Sequence, residues 1–132
     1  MDKVVLDAFA ILTLLGKENG YEIVKDYLER SYSGKVRAYI SLINWGEVYY
    51  TLIRRGKTGD AEEFWEERRS FPIVFLEPTA RRIRSASKVK ATYPVSYADA
   101  FCIALAMELE AKVITGDEEF KAVNGLEIIW IK

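Results

Sequence analysis

Apolar positions along the chain alternate between short continuous runs and helical spacing. Val4–Leu6 is a β-branched apolar run and predicts a buried first strand. Ala8–Leu15 predicts a short apolar helix that stops at Gly16. Tyr21, Ile23, Val24, Tyr27 and Leu28 fit one face of a second helix, which Gly34 ends. Val36–Ile40 predicts a second strand, and Ser41 is placed to cap a helix running through Arg55 to Gly56. Thr58 or Asp60 starts a helix rich in Glu and Arg that ends before Pro72. Ile73–Leu76 predicts a third strand, followed by a helix from about Thr79 to Lys90 and a break at Thr92–Val95 around Pro94. Ser96 opens an apolar helix to about Glu110. Val113–Thr115 and Ile128–Ile131 predict the fourth and fifth strands.

Strands alternating with helices predict an α/β fold: a mostly parallel sheet of about five strands, flanked by helices on both faces, with residues 1–132 forming one domain. In such sheets ligands bind beyond the carboxyl ends of the strands, where strand order reverses. Composition then narrows the chemistry. The chain has no histidine and a single cysteine, Cys102. Ser-His-Asp and Cys-His catalysis, His-ligated zinc and an intramolecular disulfide are thereby excluded. Cys102 lies on an apolar helix and reads as an inert core thiol. Nineteen Lys and Arg against 20 Asp and Glu give a net charge of −1, so any surface for a polyanion must be local. The apolar stretch Val4–Leu15 is interrupted by Asp7 and is too short to span a bilayer, so the expectation is a cytoplasmic protein with no membrane role.

Carboxylates and hard cations remain as the available chemistry. Asp7 directly follows the first strand, and Asp117 follows the fourth. Asp99 lies in the first turn of an apolar helix, and Glu47 in the helix after the second strand. Each has a purely structural reading. Asp99 completes a capping box with Ser96, and Asp117 suits a helix cap. On a wheel of about 100° per residue, Leu42, Trp45, Tyr49, Leu52 and Ile53 share an apolar face. Asn44, Glu47, Thr51, Arg54 and Arg55 take the opposite arc, which is either solvated or, at Asn44 and Glu47, the wall of a cleft. Asp7 is the hardest to explain structurally, since a carboxylate at a buried strand end is costly without a partner. Taken together, the four raise one another's pKa values unless cations neutralise them, and hard oxygen donors suit Mg²⁺ or Mn²⁺, one ion or two.

Four segments carry a family resemblance: Val4-Val5-Leu6-Asp7-Ala8, Ser41-Leu42-Ile43-Asn44-Trp45-Gly46-Glu47-Val48, Ser96-Tyr97-Ala98-Asp99-Ala100 and Val113-Ile114-Thr115-Gly116-Asp117 with Phe120. In this order and placement the chain resembles the PIN-domain nucleases, in particular the small VapC-type toxins of toxin–antitoxin pairs. The resemblance implies an endoribonuclease in which Asp7, Glu47, Asp99 and Asp117 hold Mg²⁺ or Mn²⁺ and an activated water cuts the phosphodiester bond, leaving a 5′-phosphate. It implies supporting roles for Thr115 and Glu119, with Asn44 beside them. It also implies a homodimer and a small antitoxin that plugs the site with an Arg or Lys side chain.

Arg81, Arg84 and Lys88 fall on one helix face in a stretch, Thr79–Ala98, that has no acidic residue. They read either as a stripe guiding RNA phosphates or as an ordinary solvated face. Tyr93 and Tyr97 flank the approach to Asp99 and suit either packing or base stacking. Two rivals stand beside the nuclease reading. One is a catalytically inactive PIN fold used for interaction. The other is a haloacid-dehalogenase-like phosphatase, which needs an acidic residue where Phe9 stands.

Overall fold

A computed structural model describes residues 1–132. The strands are β1 (Asp2–Leu6), β2 (Val36–Ser41), β3 (Val74–Leu76), β4 (Lys112–Thr115) and β5 (Ile128–Trp130). The helices are α1 (Ala8–Leu15), α2 (Tyr21–Tyr32), α3 (Leu42–Arg54), α4 (Thr58–Glu66), α5 (Ala80–Thr92) and α6 (Tyr97–Leu109). The strands form one sheet in the order β3-β2-β1-β4-β5, and every pairing is parallel. The chain builds outward from β1 to β3 and then crosses back to lay β4 on the other side of β1. The reversal of strand order therefore lies between β1 and β4. No helix is long and apolar enough to cross a membrane.

Two cores sandwich the sheet. Val4 and Leu6 of β1, Ala38 and Ile40 of β2 and Ile114 of β4 pack against α1 to α4. Val5, Tyr39 and Val113, the alternate residues, pack against α5 and α6. Burial on both faces is what makes these strands read as continuous apolar runs. The first core is anchored by Trp45. Its indole stacks on Phe64 at 4.1 Å and meets the rings of Phe71 and Phe75 edge-on at 5.2 and 4.8 Å.

Most element ends fall where cap chemistry places them. Ser41 is both the last residue of β2 and the cap of α3, its hydroxyl accepting from the Ile43 N–H at 3.2 Å. Thr79 and Ser96 cap α5 and α6 in the same way. The helix expected to end before Pro72 ends at Glu66, and a 3-10 turn at Arg68–Ser70 carries the chain to the edge strand. Gly20 opens α2 at φ 97°, and a Cβ there would lie 1.8 Å from the Ile131 carbonyl oxygen. Only glycine lets the α1–α2 link pass so close to Ile131, the residue that follows the last strand.

Candidate metal centre

Asp7 leaves β1 at the point of strand reversal and becomes the cap of α1. One carboxylate oxygen accepts from the Ala10 N–H at 2.9 Å, and the other accepts from the Thr115 hydroxyl. Asp7 is only 1% exposed. Thr115, the last residue of β4, is fully buried and also accepts from the Asp117 N–H at 2.9 Å. One hydroxyl thus stitches the ends of β1 and β4 together and sets Asp7 and Asp117 side by side. Gly116 lets the two loops close. A Cβ there would lie 2.3 Å from Cε1 of Phe9, so the ring of α1 packs directly on the β4 turn. Phe9 occupies this contact at the position where the phosphatase reading needs a carboxylate.

Asp117 caps a 3-10 turn at Glu118–Ala122, its carboxylate accepting from the Glu119 N–H at 2.9 Å. Asp99 enters from the first turn of α6. The Ser96 hydroxyl accepts from the Asp99 N–H at 3.1 Å, but the Asp99 side chain makes no return bond to the Ser96 backbone. The capping box is therefore only half made, and Asp99 Oδ2 is buried without a partner. Asp99, Asp117 and Glu119 each offer an oxygen within 4.8 Å of the others. Glu119, expected only to support the centre, is part of this tight group. Glu118, adjacent in sequence, turns away to Lys121 at 3.6 Å.

The fourth contribution comes from α3. Glu47 is half-buried, and its Oε1 has no partner. Of the two readings open for this arc, a solvated face or the wall of a cleft, the complete burial of Asn44 excludes the solvated one at that position, while Ile53, assigned to the apolar face, is exposed. The Asn44 amide donates to the Ala98 carbonyl at 3.0 Å, clamping the start of α3 to the start of α6. The helix turn that carries Glu47 is thereby held against the turn that carries Asp99.

The carboxyl groups load one another electrostatically. Burial raises the pKa of Asp7 to about 7, against the bonds from Thr115 and Ala10, and the charges of Asp117 and Glu47 push the same way. Asp99 is raised to about 8, first by burial, then by the adjacent Glu119 carboxyl and by the charges of Asp117 and Asp7. Glu47 is raised by burial and by Asp117. None of the five acids is in a salt bridge. Unpaired buried carboxylates with free oxygens are costly as anions unless a cation meets them. An all-oxygen donor set without histidine fits a hard divalent ion, Mg²⁺ or Mn²⁺. Cys102 is fully buried with its thiol pKa pushed well up, and so offers no thiolate ligand.

Arg81, Arg84 and Lys88 are exposed on α5, outside the acidic group. Of the two tyrosines, Tyr93 is partly buried against the second core, whereas Tyr97 is 46% exposed.

The sequence matches the family model of the PIN domain over residues 4–126. No curated protein matches it in sequence. Among solved structures, the fold is similar to the DNA-bound VapBC of Salmonella typhimurium, at a TM-score of 0.75 and 20% identity over 100% of both chains. It is similar to VapC20 of Mycobacterium tuberculosis, a sarcin-ricin loop cleaving toxin, at a TM-score of 0.73 and 18% identity over 94% of this chain and 97% of that one. FitAcB of Neisseria gonorrhoeae aligns at a TM-score of 0.66 and 21% identity, covering 97% of each chain.

Proposed function

The chain belongs to the PIN-domain family, and from that premise we propose that it is a divalent-metal-dependent endoribonuclease, the toxin of a toxin–antitoxin pair. The observation that carries this reading is the unneutralised acidic group at the strand reversal, with Asp99 Oδ2 and Glu47 Oε1 buried and unpartnered. Asp7, Glu47, Asp99 and Asp117 are the proposed ligand set, and Glu119 joins it by its distance to Asp99 and Asp117. When bound, a hard divalent ion supplies Lewis acidity, lowering the pKa of water and balancing charge at phosphorus.

The chain's own residues bind, orient and handle protons. Thr115 fixes Asp7 relative to Asp117, and Asn44 fixes Glu47 relative to Asp99. With no histidine in the chain, proton transfer falls to carboxyl oxygens, and Glu47 Oε1 and Asp99 Oδ2 are the two buried ones free to accept. The proposed antitoxin contact follows from the same charge: an Arg or Lys side chain entering the cleft satisfies acids that no cation of this chain reaches. VapBC complexes of similar fold support that partner. The proposed homodimer rests on the family likeness.

The test is cleavage of a structured RNA pool with Mg²⁺ or Mn²⁺, run beside an identically purified Asp7→Asn variant and an EDTA control. Cleavage by the wild type alone, with 5′-phosphate ends, is the expected result. Equal cleavage by both proteins marks a contaminant. No cleavage of any RNA, together with no metal uptake by the wild type, replaces the nuclease with an interaction module.

A further inference from the structure

We propose that the side-chain amide oxygen of Asn44, Oδ1, is a direct neutral ligand of the divalent ion, joining Glu47 Oε1 and Asp99 Oδ2 on it. This rests on the metal-dependent reading above and goes beyond the clamp that Asn44 makes between α3 and α6.

The orphaned atoms of the fold point to it. Four buried side-chain polar atoms have no hydrogen-bond partner: Asn44 Oδ1, Trp45 Nε1, Glu47 Oε1 and Asp99 Oδ2. The indole N–H belongs to the aromatic core, where Trp45 packs on Phe64, Phe71 and Phe75. The other three are oxygens, and they come from two helix starts that one hydrogen bond joins. Asn44 lies in the first turn of α3, with Glu47 about one turn further on. Asp99 directly follows Ala98, whose carbonyl accepts from Asn44 Nδ2 at 3.0 Å. An amide oxygen and two ionised carboxylates only accept, so they cannot satisfy one another. Whatever meets them brings positive charge or protons.

Turning the amide over does not relieve this. A backbone carbonyl only accepts, so Nδ2 must face Ala98 and Oδ1 is the atom left over. Asn44 is fully buried, so bulk water does not reach that oxygen, and a buried acceptor left unmet carries its full desolvation cost. The same amide flanks the Glu47 side chain: burial raises the Glu47 pKa, and the amide works against that rise. One side chain thus bonds to the segment carrying Asp99 and lies beside Glu47, with its oxygen free. Amide oxygens ligate hard cations alongside carboxylates. A neutral one adds a donor without adding to the repulsion among the acids.

The experiment uses Mn²⁺ as the probe. The chain has three asparagines, Asn19, Asn44 and Asn124, and the other two are exposed. Cell-free synthesis with asparagine carrying carbon-13 at Cγ alone labels just those side-chain amides. Electron–nuclear double resonance of the Mn²⁺-loaded protein then reads the distance from the ion to the labelled carbon. An amide oxygen bonded to the ion sets its carbon about 3 Å away. A coupling at that distance is expected in the wild type and is lost in Asn44→Leu. Asn44→Leu is also expected to bind Mn²⁺ at least about tenfold more weakly. Asn44→Asp, which loses the donor to Ala98 but keeps an oxygen, is expected to hold the wild-type affinity or exceed it. No such coupling in the wild type, or equal weakening in both variants, overturns the assignment and leaves Asn44 a clamp. A wild type that takes up Mn²⁺ without the coupling loses only the Asn44 ligand and keeps the acidic set. A wild type that takes up no Mn²⁺ loses both. A wild type that shows the coupling but cuts no RNA keeps the Asn44 ligand and loses the nuclease.

Discussion

Asp7→Asn in the metal-free protein isolates the cost of one buried charge. The carboxyl has a pKa of about 7 in the folded chain against an ordinary value of 3.8. Between those values the folded state holds a proton that the unfolded state has released, so raising the pH across that window destabilises the fold. The contribution is most favourable below the unfolded pKa and is lost as pH rises toward 7. The full shift of about three units corresponds to about 4 kcal/mol, of which about 3 kcal/mol falls between pH 5 and pH 8. Asp7 is 1% exposed, so solvent screening does not discount it. Asparagine keeps the shape and keeps an oxygen for the Ala10 N–H, but the Thr115 hydroxyl must turn from donor to acceptor to meet its amide. That penalty is independent of pH and cancels when two pH values are compared. The assay is urea unfolding of both proteins in EDTA at pH 5 and pH 8. The stability difference is expected to move by about 3 kcal/mol in favour of the variant at the higher pH. A difference that is the same at both pH values refutes the raised pKa, and with it the argument that the carboxyl awaits a cation.

Metal should act in the opposite sense. Mn²⁺ is expected to raise the wild-type Tm more at pH 8 than at pH 5, because protons on Asp7 and Asp99 compete with it below about 7 and 8; equal shifts at both pH values, or an undiminished shift in Asp99→Asn, contradict the assignment. Thr115→Val removes the donor to Asp7 and orphans the half-buried Asp117 N–H, so urea unfolding should show a loss of about 1–3 kcal/mol, and the pH midpoint of metal uptake should rise. Gly116→Ala drives a methyl into the Phe9 ring and should cost about 1–3 kcal/mol, with Phe9→Leu in the same chain recovering part of it. Cys102 should not react with a thiol reagent until the protein unfolds, since its thiol is fully buried and its pKa raised.

Much of this architecture was legible in the sequence for a physical reason. Strands buried on both faces are uninterrupted apolar runs, and Ser41, Thr79 and Ser96 mark helix starts by the bonds they accept. The order of the elements was enough to place Asp7 and Asp117 at strand ends. What escaped were contacts between segments far apart in sequence. The wheel left Asn44 either solvated or lining a cleft because it records one helix, whereas its amide is held by Ala98 on another. Residue chemistry alone does not separate Glu119 from Glu118; the family resemblance singled out Glu119, and the 3-10 turn is what sets it near Asp99 while Glu118 meets Lys121. The free cations of α5 were visible as a stripe, but not which basic residues the fold itself engages.

The pairing of Asp7 with Thr115 lies between these extremes. It depends on the register of β1 against β4, in which Val5 faces Val113 and Leu6 faces Ile114. Continuing that register by one residue sets Asp7 opposite Thr115. A one-residue slip would exchange the faces of β4, sending Val113 to the core of α1–α4 and Ile114 to that of α5 and α6. It would also move Thr115 out of reach of Asp7. The two hydrophobic cores therefore specify more than stability. By fixing which face Val113 and Ile114 take, they fix the hydroxyl that holds two carboxylates together at the strand reversal, and the acidic centre inherits its geometry from the apolar pattern beneath it.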